Sequence, residues 1–214
     1  MPEPLRFHFD PRCPWCYQTS RWMRRLEELG EVTVTWAVFS LAIANHGDEA
    51  RAQPESGGAM ALRTTIAVRD ALGNAAAGRF YAALGEAVHE RSQPVDEART
   101  VDSALEAAGI DVSLRATAMR DAATWDGVQR EHDDAVRTHR AFGVPTIVVD
   151  DNAIFGPVIT EVPGDAEAVE LWRHTSWLVR NANFAELKRA PTARPNLATT
   201  RRSSRPRHDR SRAA

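Results

Sequence analysis

Four consecutive residues, Cys13-Pro14-Trp15-Cys16, constrain this chain more than any other feature in it. They contain both of its two cysteines, three positions apart. A disulfide between them would close a very small loop and add little stability, so the pair reads as chemistry and not as a staple. Phe7, His8, Phe9 and Asp10 alternate in the manner of a strand, and Asp10-Pro11 then makes a turn. Pro14 suits the first position of a helix, where no backbone N–H is lost. Cys13 is then the N-cap, its sulfur facing the unpaired amides of Trp15 and Cys16, and those donors together with the helix dipole favour a thiolate. Cys16 lies one turn further in and less exposed. Cys13 is therefore the expected nucleophile and Cys16 the resolving thiol.

Structural zinc, the other common use of such a pair, normally needs four ligands. The chain has no second pair, and His132 and His139 stand seven residues apart, about 10 Å along a helix. No metal site is expected.

The pattern beyond the pair is β-α-β. A helix is predicted from about Pro14 to Leu29, closed by Gly30, then a strand in which Val32, Val34, Trp36 and Val38 alternate with Thr33, Thr35 and Ala37. Residues 41–57 read mostly as loop. From about 59 to 142 the periodicity is helical and predicts four or five helices, with breaks at Gly73-Asn74, Gln93-Pro94, Gly109 and near Asp126-Gly127. Strand signal returns in VPTIVVDD, with a short partner in AIF across Asp151-Asn152. A helix over 165–181, carrying Trp172 and Trp177 as core residues, and a short one near 183–188 complete the ordered part. The domain reading is one α/β unit from 1–57 and 143–190, an inserted helical domain at 58–142, and a disordered basic tail at 191–214.

Charge divides along the same lines. Residues 189–214 hold eight Arg and one Asp, leaving 19 basic and 28 acidic side chains in the body. The Arg-rich tail has no aromatic interleaving and no nucleic-acid-binding motif, and the acidic body opposes polyanions, so no nucleic-acid partner is expected. No run reaches the roughly 18 apolar residues of a membrane span. Residues 1–12 show no export signal. A cytoplasmic location follows as the expectation, where a dithiol is more often catalytic than structural. No G-x-G-x-x-G or P-loop is present to hold a nicotinamide, flavin or nucleotide.

Around the pair, Asp10 has two readings: a proton acceptor for Cys16 through water, or the residue that opens the Asp-Pro turn by bonding to backbone amides. His8, on the same strand face, reads as a satisfied half-buried histidine. Trp15 beside the nucleophile can stack on a flat substrate. Asn45 and His46 follow the second strand, near the end of the sheet where ligands gather in such folds.

The order of a strand, C-P-W-C opening a helix, a strand, a helical insertion, then F-G-V-P-T-I-V-V resembles the DsbA-like branch of the thioredoxin superfamily. FDPRCPWC, TSRW, VFSLAIAN, FGVPTIVVD, IFGPVITEVP and FAELKR further resemble the actinobacterial mycothiol-dependent nitroreductases, over about residues 5–195. The resemblance implies a thioredoxin fold with an inserted all-helical subdomain. It implies that Pro145 is cis and faces the cysteine pair, and that Val144 offers backbone hydrogen bonds to a bound thiol. It further implies that Asn45 contacts the thiol cofactor and that a neutral Trp15, where strongly oxidising relatives carry His, suits a reductase. The expected function is a thiol–disulfide oxidoreductase reduced by mycothiol, with no bound metal, flavin or nicotinamide, acting on small-molecule (nitro) or disulfide substrates. Two alternatives remain: an isomerase or thiol transferase of the same fold without a redox cycle, and a redox-sensing binding module. Residues 47–58 depart from the relatives, being rich in Gly and Ala and lacking aromatics.

Overall fold

A computed structural model describes residues 1–56 and 58–197. Its centre is a four-stranded sheet in the order β2-β1-β3-β4. β1 (Glu3–Phe9) and β2 (Val32–Val38) run parallel, in register from Glu3 opposite Val32 to Phe9 opposite Val38. β3 (Thr146–Val149) pairs antiparallel with the second half of β1, and β4 (Asn152–Phe155) closes a hairpin on β3. The chain therefore leaves the sheet after β2, builds its helical block, and returns to the other side of β1. This is a thioredoxin fold with a helical insertion.

β1 begins four residues earlier than its alternation indicates. Pro4 masks the start, because a proline cannot donate to a ladder. It is tolerated because β3 reaches only as far as Arg6, so at Pro4 the strand is paired on one side alone. The turn between β3 and β4 falls at Asp150-Asp151, both at positive φ (47° and 64°), one residue before the expected Asp151-Asn152. Two left-handed residues form the tight hairpin turn that matches strand twist.

α1 (Pro14–Glu28) starts on Cys13 and ends in a Schellman motif. Gly30, at φ 75°, donates to the Glu27 carbonyl, and the Glu31 amide reaches back to the Leu26 carbonyl at 3.0 Å. Its inner face buries Trp22, Met23 and Leu26 completely. Trp22 meets Trp172 of α9 (Asp165–Arg180) edge to face at 6.2 Å and donates to the Ala168 carbonyl.

Residues 41–57 are more ordered than a loop. α2 (Leu41–His46) and α3 (Asp48–Arg51) flank Gly47. Ser40 caps α2, its hydroxyl accepting from the Ile43 amide, and the Asp10 carboxylate accepts from the Leu41 amide at 2.7 Å. The helices escape a periodicity search because each buries one side chain, Ile43 and Ala50. The insertion comprises α4 (Ala59–Leu72), α5 (Asn74–Gly85), a π-helical turn (Glu86–Glu90), α6 (Ala98–Ala107), α7 (Ser113–Arg120) and α8 (Ala122–His139). It has a small core of its own around Val68, Phe80, Leu84, Val101 and Leu105. Trp177, expected in the core, is 63% exposed, whereas Trp172 is core. Trp177 falls one position off the buried stripe of α9, which runs through Ala168, Trp172, Thr175 and Val179.

No helix forms at 183–188, where the chain is irregular. Residues 191–197 are also irregular, with Asn196 donating to the Thr160 carbonyl. The rest of the tail, 198–214, lies outside the described residues. No helix among the described residues is long and apolar enough to cross a membrane.

Candidate active site

The strand–turn–helix at the start of the chain sets the two cysteines at the end of β1. The Asp10 carbonyl accepts from the Cys13 amide at 3.0 Å, and the Asp10 carboxylate accepts from the Arg12 amide at 2.8 Å. Cys13 is the N-cap of α1, and its sulfur accepts from the Cys16 amide at 3.4 Å. Both cysteines are free thiols, Cys13 at 9% exposure and Cys16 at 0%. The Cys13 thiol donates to the Val144 carbonyl at 3.7 Å, beside the cis Val144–Pro145 bond. Asp10, Cys13, Cys16, Val144 and Pro145 thus converge from opposite ends of the sequence.

Electrostatics separate the two sulfurs. The Cys13 pKa falls below the ordinary thiol value, first because the Cys16 thiol donates to it. Burial opposes that fall, while the amides of Cys16 and Trp15 reinforce it. Cys16 goes the other way: burial, and then its role as donor to Cys13, push it well up. The two shifts run in opposite directions, as a nucleophile paired with a resolving thiol requires.

Asp10 fills the turn role and adds a second anchor. It holds the turn through Arg12 and also anchors α2 through Leu41. Fully buried, its carboxyl is raised to about 6, because burial outweighs those two amide donors. A carboxyl that titrates near neutrality beside a buried thiol can exchange a proton with it. His8 is 2% exposed, and burial followed by the charge of Arg6 lowers it to about 4, so its imidazole is neutral.

Pro14 and Trp15 are half-buried, and Trp15 packs against the main core. Asn45 is exposed in the last turn of α2, and no hydrogen bond joins it to the other candidates among the described residues. Arg12 is exposed, and its side chain lies against Gly58, where an added Cβ would meet Arg12 Cδ at 3.0 Å.

The insertion adds residues that the sequence gave no reason to select. His89 Nε2 donates to the Pro11 carbonyl at 2.8 Å, since a carbonyl can only accept. The His89 ring stacks on Tyr17 at 5.4 Å, and the Tyr17 hydroxyl donates to Glu90 at 2.6 Å. Tyr81 lies fully buried with its ring stacked on Phe9 at 3.7 Å. His89, Glu90 and Tyr81 lie far along the chain from the cysteine turn, and no local pattern marks them. Among the described residues no group of three or more His, Cys, Asp or Glu is arranged to hold a metal ion.

Three comparisons place this arrangement among known proteins. The uncharacterized protein Rv2286c of Mycobacterium tuberculosis (strain ATCC 25618 / H37Rv) is 29% identical over 193 residues, 86% of this chain and 80% of that protein. The cytosolic disulfide reductase DsbM from Pseudomonas aeruginosa, solved with GSH, matches with a TM-score of 0.59 at 12% identity, over 81% of this chain and 99% of that one. A 2-hydroxychromene-2-carboxylate isomerase matches with a TM-score of 0.58 at 17% identity, over 86% of this chain and 100% of that one. The two structural matches establish the shared fold. The family model described as mycothiol-dependent nitroreductase Rv2466c, Rv2466c-like, covers residues 12–189, from the cysteine turn to beyond the last helix. The chain belongs to this Rv2466c-like family of DsbA-like, thioredoxin-superfamily proteins.

Proposed function

We propose that the chain is a cytoplasmic thiol–disulfide oxidoreductase, reduced by mycothiol, that passes two electrons to a disulfide or small nitro compound through Cys13 and Cys16. The observation that carries this reading is the split between the sulfurs: a helix-capping Cys13 of lowered pKa and a fully buried Cys16 of raised pKa.

In the oxidised protein the Cys13–Cys16 bond breaks as Cys13 joins the sulfur of the incoming thiol. Cys16 leaves as a thiolate and takes a proton, for which the buried Asp10 carboxyl is a neighbouring source. A second thiol then displaces Cys13 as a thiolate, so two thiols are oxidised to one disulfide while the protein gains two electrons. Toward a disulfide substrate the sequence reverses: Cys13 attacks, one substrate thiolate leaves, and Cys16 displaces the other. Toward a nitro group the dithiol gives two electrons and two protons, yielding a nitroso group and water. The Val144 carbonyl, 3.7 Å from the Cys13 sulfur, is placed to accept from a donor on the bound thiol. Trp15 beside the nucleophile offers a face to a flat substrate. Asn45, on the helix anchored to Asp10 through Leu41, is the residue we propose for the cofactor-thiol contact.

The test uses oxidised wild type incubated separately with mycothiol, glutathione and a thioredoxin system, following the two thiols by thiol counting and intact mass. Rapid reduction by mycothiol alone is expected. Reduction only by thioredoxin, or none, overturns the assignment of the reductant. The Cys16→Ser variant discriminates an isomerase of the same fold, which would keep its turnover, from the oxidoreductase, which stalls as a mixed disulfide on Cys13.

A further inference from the structure

Away from the thiols, a crevice of about 430 Å³ opens between α1 and the insertion. That volume is within the range of small-molecule sites, about 300–1,000 Å³. Arg21 and Arg24 enter it from α1 and Arg79 from α5. Its apolar wall is made of alanines, Ala82 and Ala83 on α5 and Ala107 and Ala108 at the end of α6.

The charges in this crevice are poorly matched by the protein itself. Arg24 is held rigidly, over the Trp36 ring at 4.4 Å and the Tyr81 ring at 5.2 Å. Its hydrogen bonds go to the Ser20 hydroxyl and the Gly78 carbonyl, which are neutral acceptors. Arg79 is exposed and has no hydrogen bond or ion pair among the described residues. Arg21 is 4.0 Å from Glu90, whose carboxylate already accepts from Tyr17, and donates to the neutral Gln18 Oε1 at 3.3 Å and Asn196 carbonyl at 3.4 Å. Glu86 also lines the crevice, but it is ion-paired with Arg91. A guanidinium withdrawn from water without a carboxylate is costly, and an anion that reaches it gains charge-assisted hydrogen bonds.

We propose that this crevice binds a small organic anion of the aryl carboxylate class, the carboxylate seated among Arg21, Arg24 and Arg79 and the flat apolar body against the alanine wall. The three guanidiniums stand away from the thiols, although Tyr17, the residue after Cys16, also lines the crevice. Arg21 and Arg24 lie about 12 and 16 Å along the helix axis from Cys13, at 1.5 Å per residue. Because its cations come from α1 and from the insertion, the ligand bridges the helix that carries the cysteines and the helical block.

The full chain is titrated with 2-naphthoate and with its uncharged isostere 2-naphthamide, by calorimetry. Saturable 1:1 binding of the carboxylate is expected, with the amide weaker by about tenfold or more, the loss that follows from removing charge-assisted hydrogen bonds. Arg79→Gln, at an exposed position, lowers carboxylate affinity about five- to tenfold, leaves the amide unchanged, and Arg79→Lys recovers part of the loss. Cys13→Ser leaves binding intact. Equal affinity for the two compounds, no saturation, indifference to Arg79→Gln, or loss of binding in Cys13→Ser each overturns the proposal.

Discussion

The Cys16 amide donates to the Cys13 sulfur across 3.4 Å, and the two side chains have opposite acid–base character because of how that contact is built. The helix supplies the amide regardless of what side chain Cys16 carries. The Cys16 thiol supplies a second donor, and it is the largest single contribution to the lowering of Cys13.

Replacing Cys16 with Ala removes the thiol donor and keeps the amide. The Cys13 pKa then rises toward the ordinary thiol value while remaining subject to the helix N-terminus. Thiolate absorbance near 240 nm, followed against pH in the reduced variant and in reduced wild type, measures the shift. An unchanged or lower Cys13 pKa in Cys16→Ala would show that the amides and the helix dipole alone set it.

Asp10 predicts a pH dependence of definite sign. Its folded pKa of about 6 lies above the ordinary carboxyl value of 3.8. The folded protein therefore holds this proton more tightly than the unfolded chain. The associated stability is complete below 3.8 and is lost as pH rises through 6. The size is about 3 kcal/mol at roughly 1.4 kcal/mol per unit. Asp10→Asn has no such proton to lose, so its stability relative to wild type improves by up to about that amount between pH 4 and pH 8. Urea denaturation of reduced protein at both ends of the range reads the difference. The same carboxylate opposes the Cys13 thiolate, so the variant also has a lower Cys13 pKa.

How far sequence reading reached is decided by the range of the interactions involved. The N-cap at Cys13, Pro14 at the first helical position and the Gly30 stop are local rules, and each is found in place. Asp10 was legible as a turn residue, but its bond to Leu41 joins segments 31 residues apart. α2 and α3 were hidden because one buried residue each gives no period. His89, Tyr17 and Tyr81 come together only through the insertion, whose helices have ordinary amphipathic patterns that say nothing about what they face. Arg21, Arg24 and Arg79 meet only when α1 and α5 are packed.

His8 acts in the opposite direction to Asp10. Burial, then the charge of Arg6, lowers it from 6.5 to about 4. The unfolded chain binds this proton more readily, so the contribution to stability is complete above 6.5 and is lost as pH falls toward 4, by about 3 kcal/mol. His132, also buried, is lowered to about 4 and adds to the same trend. His8→Leu is expected to flatten the fall in stability between pH 7 and pH 4, measured by urea denaturation at fixed ionic strength. A fall as steep as in wild type would place the acid sensitivity elsewhere.

β2 is the outer strand of the sheet, and side chains take the place of a neighbouring strand along its free edge. Asn74, the first residue of α5, accepts from the Trp36 amide at 2.8 Å and donates to the Val34 carbonyl at 2.7 Å, a two-point imitation of a paired strand. Glu27 accepts from the Val34 amide and Glu131 from the Val38 amide, both at 2.9 Å. Arg69 donates to the Trp36 carbonyl at 3.2 Å. An open edge would otherwise present unpaired backbone to other chains. Asn74→Ala leaves one donor and one acceptor of β2 without partners, at a cost of about 2–4 kcal/mol for the two groups. Asn74→Asp keeps the acceptor for Trp36 and loses only the donor to Val34, so its loss should be smaller than that of Asn74→Ala. Chemical denaturation of the three proteins gives the order, and amide hydrogen exchange at Trp36 should accelerate in Asn74→Ala and stay slow in Asn74→Asp. Equal exchange in both variants would mean that the edge is closed by packing and not by the Asn74 carboxamide.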